Sequence, residues 1–235
     1  IRDSQFSEMS SAVELQRSQA TIEGSRFEQS QQYAIDVRDS QVSVRDNQLR
    51  GIDNNSGVRL RGQTRALVEN NLIFGAGKAA IEVSEQQGAV LLAGNRIGDS
   101  RGNGIQLRSL APTPAAPLVI DNNLLGSSVG SAIDASEVGA LALLGNHITN
   151  TPEYAVSLRN ATPMAGPLLL SGNRLGQVGK AILRVEGMRQ VELGGNSFDG
   201  KPLLQNLLIG DLLPLQGTLL ESTVRQGNTV RVSQR

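Results

Sequence analysis

The chain repeats one short pattern of apolar residues around an asparagine at intervals of 23 to 28 residues. Apolar residues lie five and three positions before each asparagine and two positions after it. The repeated positions are Asn47, Asn71, Asn95, Asn123, Asn146, Asn173 and Asn196, with Ser25 and Ser4 at the same place in two earlier copies. A fixed period of this length is typical of solenoids, in which each repeat packs only against its neighbours.

A second pattern alternates with the first: alanine or glycine, then isoleucine or valine, then a variable residue, then usually valine or leucine. Its copies begin at Ala12, Ala34, Gly57, Ala80, Gly104, Ala132, Ala155 and Ala181. Both patterns alternate with period two, which predicts β-strands, and strands this short bury an apolar face only by stacking. The sequence therefore predicts an all-β fold, a parallel β-helix of about nine coils over residues 1–198.

The asparagines are predicted to form an internal ladder at a bend between strands. A short amide side chain tolerates left-handed backbone, and it has both donors and an acceptor for the coils above and below. Alanine or glycine is expected where the chain bends tightly before the second strand. The core between these bends consists mainly of aliphatic residues, because aromatic residues make up only 3% of the chain.

Three segments depart from the repeat. Two longer intervals predict loops that protrude on one side, at residues 109–117 and 160–167. Residues 199–235 are predicted to form a C-terminal cap, with a β-hairpin around the Gly227–Asn228 turn. At the other end, Ile1 already occupies a mid-strand position, so further coils or another domain are expected before it.

Charge and composition narrow the classes of function. Lysine and arginine total 22, as do aspartate and glutamate. A net charge of zero argues against a non-specific nucleic-acid binder, which needs a basic excess. No apolar run is long enough to span a membrane. The absence of cysteine excludes a disulfide scaffold and a thiolate metal site.

The interleaved repeat resembles the right-handed parallel β-helix superfamily of pectate lyases, polygalacturonases, mannuronan C5-epimerases and carbohydrate-binding and sugar-hydrolase repeats. The resemblance covers residues 1 to about 198. It implies that the ladder lies between the second and third sheets. It also implies that the Ala-Ile-x-Val segments form the first sheet, whose outer face is the usual polysaccharide cleft, and that the long loops wall that cleft. The Asp-Pro-His-Asp motif of the epimerases and the Gly-His-Gly motif of the polygalacturonases are absent, so no catalytic residue is assigned.

By alternation, the first sheet exposes two rows of side chains. Row one is predicted to be Glu14, Asp36, Arg59, Glu82, Gln106, Asp134, Ser157 and Leu183. Row two is predicted to be Gln16, Arg38, Arg61, Ser84, Arg108, Ser136 and Arg159. Guanidinium groups bind carboxylates and sulfates bidentately, so these rows suit an acidic polysaccharide. The alternative interpretation is structural, because opposite charges on successive coils avoid repulsion between stacked like charges.

The candidate binding residues follow from these rows and one aromatic side chain. They are Arg38, Arg61, Arg108, Arg159, Asp36, Glu82, Asp134 and Tyr154. Tyr33 and Tyr154 precede the alanines of their coils, where they either stack on a sugar ring or cover the edge of a turn. His147 is expected to point outward between Leu124 and Arg174. No metal or other cofactor is expected, except calcium if the protein is a lyase.

Two functions remain open from the sequence. The first is binding or modification of an acidic polysaccharide outside the cytoplasm, in the periplasm, at the cell surface or after secretion. An enzyme of this kind would be a polysaccharide lyase or epimerase. The second is a non-catalytic rod or scaffold segment of a longer secreted or surface protein.

Overall fold

The computed structural model describes residues 1–110, 118–200, 207–209 and 227–232. The strands in this part of the chain are β1 (Gln5–Ser7), β2 (Val13–Gln16), β3 (Gln19–Glu23), β4 (Arg26–Ser30), β5 (Ile35–Arg38), β6 (Gln41–Arg45), β7 (Gln48–Ile52), β8 (Val58–Arg61), β9 (Arg65–Glu69), β10 (Leu72–Ala76), β11 (Ile81–Ser84), β12 (Val90–Ala93), β13 (Arg96–Gly98), β14 (Ile105–Leu110), β15 (Leu118–Asp121), β16 (Leu124–Leu125), β17 (Ile133–Val138), β18 (Leu141–Leu144), β19 (His147–Ile148), β20 (Tyr154–Ser171), β21 (Arg174–Gly176), β22 (Ala181–Gly194), β23 (Ser197–Gly200), β24 (Leu207–Ile209) and β25 (Thr229–Val232).

These strands form three parallel sheets, because up to β19 strands three apart in the chain pair with one another. The first sheet contains β2, β5, β8, β11, β14 and β17, and the second contains β3, β6, β9, β12, β15 and β18. The long strands β20 and β22 run through both of these sheets, and β24 pairs with β22. The third sheet has the order β1-β4-β7-β10-β13-β16-β19-β21-β23-β25. The predicted right-handed parallel β-helix is confirmed.

The interior is a stack of aliphatic side chains held in register from coil to coil. Ile35, Val58, Ile81 and Ile105 lie on successive strands of the first sheet, and each is fully buried. Ala34, Ala80, Ala132 and Ala155, at the predicted bend before the first sheet, are also fully buried, whereas Ala12 in the first coil is partly buried. Burial of such side chains is the main term that stabilises coils too short to fold alone.

The predicted asparagine ladder runs along the corner between the second and third sheets. In each rung the backbone N–H and the Nδ2 amide both donate to Oδ1 of the next asparagine, as Asn95 does to Asn123 at 2.8 and 3.0 Å. The same Nδ2 also donates to a carbonyl of the preceding coil, that of Val68 at 2.8 Å. Ser25 donates its N–H to Asn47, which brings the serine copies into the ladder. The ladder is confirmed.

The left-handed residue at this corner is the one before the ladder residue. Asp46, Asn70 and Asn122 have φ of 57°, 55° and 52°, and glycine takes the same place at Gly94 with φ of 62°. The ladder asparagines themselves do not adopt positive φ. The expectation that they would supply the left-handed backbone was wrong. The preceding residue makes the turn, which leaves the ladder side chain free to point inward.

Of the three predicted irregular segments, the structure describes residues 160–167 throughout and residues 109–117 and 199–235 only in part. Residues 160–167 belong to strand β20, but only Met164 and Pro167 among them pair with β22. The register shifts on both sides of Met164, so the extra residues predicted as a protruding loop are accommodated as irregularities within a strand. Residues 111–117, most of the other predicted loop, lie outside the described residues. Within the predicted cap, β25 pairs in parallel with β23, and Asn228 accepts from Asn196 as one more ladder rung. The first half of the predicted hairpin lies outside the described residues.

Candidate functional site

The outer face of the first sheet carries the two predicted rows, and strand pairing confirms their register up to Ser157 and Arg159. The prediction that Leu183 is the last member of row one is wrong. Ser157 pairs with Arg184, whereas Leu183 pairs with Val156 and is fully buried. Ala181 lies opposite Tyr154 rather than Ala155, so the coil is displaced by one residue, and a shift of one residue exchanges the two faces of a strand.

The side chains of the two rows differ in how deeply they are buried. In row one, Asp36, Glu82 and Gln106 are only 8%, 7% and 4% exposed. In row two, Arg38, Arg108 and Arg159 are exposed. Asp36 and Glu82 are therefore less accessible to solvent than the guanidinium groups of row two, whereas Glu14 in the first coil is exposed.

Asp36 is the centre of a charged cluster at the beginning of the sheet. Arg59 donates to it through Nε at 2.9 Å and through Nη2 at 2.5 Å, and Arg61 Nη2 donates at 3.0 Å. The Arg59 guanidinium also lies 3.9 Å from the centroid of the Tyr33 ring and donates to the Tyr33 hydroxyl at 2.7 Å. The hydrogen bonds to Asp36 raise the pKa of Arg59, and burial raises the pKa of the Tyr33 hydroxyl. Both groups therefore keep their ordinary charge state at neutral pH.

Three further row-one groups, Glu82, Asp134 and Gln106, also have partners on this face. Glu82 accepts from the Ser56 hydroxyl at 2.8 Å and from Lys78 Nζ at 3.2 Å. Asp134 accepts from Arg159 Nη2 at the longer distance of 3.4 Å. With its amide oxygen turned towards the guanidinium, Gln106 lies 2.7 Å from Arg108 Nη2. Of the row-two arginines, Arg108 thus contacts an uncharged group.

Tyr154 and Tyr33 occupy equivalent positions five coils apart. Tyr154 is half-buried, with Lys180 and Arg184 lying 5.6 and 5.8 Å from its ring centroid. Arg59 beside Tyr33 and Arg184 beside Tyr154 each occupy the row-one position of the coil that follows the tyrosine. Cations against the face of the ring contribute about 0.5–1 kcal/mol at such partly exposed positions. The Tyr33 ring is covered by Arg59, which favours the turn-covering interpretation for that residue.

A shallow depression of about 270 Å³ opens at the beginning of this face. Glu14, Leu15, Gln16, Asp36, Arg38 and Arg61 line it. Three of the predicted binding residues, Asp36, Arg38 and Arg61, therefore meet at one place. Arg108 and Arg159 lie two and four coils beyond Arg61 along the same row.

Several contacts on this face were missed by the sequence patterns. Ser56 and Lys78 lie in turns before the first sheet; Ser56 reaches Glu82 from the preceding coil, whereas Lys78 reaches it from four residues earlier in the same coil. His147 lies on the third sheet between Leu124 and Arg174, as expected, and so away from this face. Within the described ranges, no group of three or more His, Asp or Glu side chains is placed to hold a metal ion.

Comparison with known proteins decides the family. The protein-family model described as 'Right handed beta helix region' matches residues 1–148, more than half of the chain. The chain belongs to the right-handed β-helix family. No curated protein matches this β-helix chain. Among the residues that the structure describes, no helix is long and apolar enough to cross a membrane.

Solved structures of the periplasmic alginate epimerase AlgG share the fold. The unsubstituted enzyme is 18% identical with a TM-score of 0.67, and 83% of this β-helix chain aligns with 49% of that chain. A singly substituted variant of that enzyme gives 17% identity, the same TM-score and the same coverage. This chain therefore spans about half the length of those structures. At this identity the likeness establishes the three-dimensional fold.

Proposed function

We propose that this protein binds an acidic polysaccharide outside the cytoplasm, along the outer face of the first sheet. The observation that carries the proposal is a row of arginines, of which Arg38, Arg108 and Arg159 are exposed, beside a row in which the carboxylates of Asp36 and Glu82 are buried. Asp36 and Asp134 hold the guanidinium groups of Arg61 and Arg159 in one direction, so these two side chains lose less entropy when a ligand binds. Arginine has five N–H donors, and Arg61 gives one of them to Asp36 and Arg159 one to Asp134.

The spacing of row two suits a linear polymer. Arg61, Arg108 and Arg159 lie on alternate coils, with Ser84 and Ser136 on the coils between them. Successive arginines are therefore about 9.6 Å apart along the helix axis. A regular row at this spacing matches a chain that carries one anionic group on every second sugar. The likeness to a periplasmic alginate epimerase supports both the class of ligand and the location.

The rod or scaffold function is the second candidate, and one observation favours it. Arg61 and Arg159 already contact Asp36 and Asp134, so opposite charges on this face are partly neutralised within the chain. Charge pairing of this kind is sufficient to keep stacked coils from repelling one another. The two candidates differ in what they predict for Arg108, which contacts Gln106 instead of a carboxylate.

Arg108→Ala is expected to weaken binding of polyuronate oligosaccharides, including alginate fragments, about five- to tenfold at low salt. Binding by the wild-type protein should also weaken as salt rises, because exposed charges are screened. Isothermal titration calorimetry measures both effects. Arg65→Ala is the matched control, since Arg65 is also exposed but begins a strand of the second sheet.

Two results would contradict binding on this face. One is a wild-type protein that does not bind polyuronate at low salt, which favours the rod. The other is an equal loss in the Arg108 and Arg65 variants, which indicates general charge attraction without a located site. Unchanged thermal unfolding in both variants shows that the fold is intact.

A further inference from the structure

The outer face of the third sheet carries a groove that the sequence patterns did not assign. Two depressions of about 170 Å³ each open on this face, and both are lined by Thr149. The row beneath them consists of Phe74, Gly98, Gly126, Thr149, Gly176 and Asp199. These residues lie on successive coils, so the groove runs along the helix axis for about 24 Å.

Glycine keeps the floor of this groove low. Gly98, Gly126 and Gly176 do not have positive φ, so their backbone conformation does not itself require glycine. A Cβ at Gly98 would lie 2.7 Å from Cε1 of Phe74, and one at Gly126 would lie 3.1 Å from the Thr149 carbonyl oxygen. The Phe74 ring thus lies against Gly98 at one end of the groove. It is half-buried, which leaves part of the ring accessible.

The two sides of the groove differ in chemistry. One side is a row of exposed side chains in register: Arg96, Leu124, His147 and Arg174. The other side is formed by Ser127, Asn150 and Gln177, exposed residues with left-handed φ at the corner that follows the sheet. The Thr149 hydroxyl lies 2.9 Å from Gln177 Oε1 across the floor. Aromatic, aliphatic, amide and hydroxyl groups therefore line one channel.

We propose that this groove binds a linear oligosaccharide lying along the helix axis. A sugar ring has an apolar face that packs on an aromatic ring and hydroxyl groups that bond to amides and hydroxyls. Phe74 and Leu124 supply the apolar contacts, and Asn150 and Gln177 supply amide groups. This site is separate from the first-sheet face, because it lies on a different sheet of the β-helix.

Other linear ligands fit this groove less well. A peptide strand adds to a sheet through unpaired backbone groups at its edge. Here the floor amides are already bonded, as the N–H of Gly126 is to the Ile97 carbonyl and the N–H of Thr149 is to the Leu125 carbonyl. Nucleic acid requires several phosphate-binding cations. Of the two arginines beside this groove, Arg174 lies 3.7 Å from Asp199.

The experiment blocks the groove and measures binding of two probes, a neutral β-glucan oligosaccharide and a polyuronate oligosaccharide. Thr149→Tyr places a ring across the floor and should weaken binding at this site at least about tenfold. Leu124→Ala should weaken it about threefold through lost apolar contact. Leu91→Ala is the matched control, because Leu91 and Leu124 are both 37% exposed but lie on different sheets.

Calorimetry separates this site from the first-sheet face. If both sites exist, Thr149→Tyr removes one polyuronate site and all neutral-glucan binding, and Arg108→Ala leaves the neutral-glucan affinity unchanged. The groove proposal is overturned if Thr149→Tyr reduces the binding of neither probe. It is also overturned if Leu91→Ala and Leu124→Ala weaken binding equally. In either of those cases, polyuronate binding that is lost only in Arg108→Ala would still support the first-sheet proposal.

Discussion

Asn123→Leu is expected to lower the free energy of unfolding by about 3 kcal/mol or more. The Asn123 side chain accepts from the backbone N–H and from Nδ2 of Asn95, and it donates to the Leu92 carbonyl and to Asn146 Oδ1. All of these groups are buried. Leucine has similar size but no polar atoms, so two donors and one carbonyl lose partners that water cannot replace.

Chemical denaturation measures this effect as a lower urea midpoint. Asn54→Leu makes the same chemical change at an exposed asparagine, whose Nδ2 donates to the Gln31 carbonyl at the surface. This control should cost well under about 1 kcal/mol, since water can satisfy the carbonyl that is left. Equal midpoints for the two variants would show that the ladder does not stabilise the β-helix.

Asp36→Ala is expected to lower the free energy of unfolding by about 2–4 kcal/mol. The carboxylate accepts two hydrogen bonds from Arg59 and one from Arg61, and the side chains of Asp36 and Arg59 are only 10% and 19% exposed. Removal of the acid leaves the Arg59 guanidinium partly buried without its anion. The cation–π contact with Tyr33 offsets only part of that cost.

Two further variants identify the cause of this loss. Glu28→Ala removes an exposed pair with Arg26, in which the side chains are 35% and 52% exposed, and should cost less than about 1 kcal/mol. The double variant Asp36→Leu/Arg59→Leu should recover part of the stability, because no buried charge is then left unpaired. If Asp36→Ala is as stable as Glu28→Ala, the cluster does not contribute as described.

The sequence patterns succeeded where a position is defined within one coil. The ladder from Asn47 to Asn196, the buried row of Ile35 and its counterparts, and the outward rows up to Ser157 all follow from local spacing. They failed where the spacing changed. Ala181 was aligned by its motif with Ala155, although the turn before it places Ala181 opposite Tyr154. Asn228 was missed because 32 residues separate it from Asn196.

On the outer face of the first sheet, too, the sequence predicted some features and missed others. Alternation in the first sheet correctly predicted which side chains point outward, including Asp36, Arg61 and Arg108. It did not predict that Asp36 and Glu82 would be buried beneath that face. Neighbouring coils contribute to their burial, as Arg59 does at Asp36 and Ser56 at Glu82. The third-sheet groove was missed for a related reason, since Gly98, Gly126 and Gly176 form a floor only when stacked.

The sequence by itself determined the architecture, because each coil repeats the same inward positions within a few residues and the ladder asparagine marks every coil. Only the tertiary structure decided which charges pair, how deeply they lie and where grooves open. Those properties depend on side chains more than twenty residues apart, as in the pair of Asp36 with Arg59. Their separation in space is set by coil register, and one extra residue in a turn exchanges an inward side chain for an outward one.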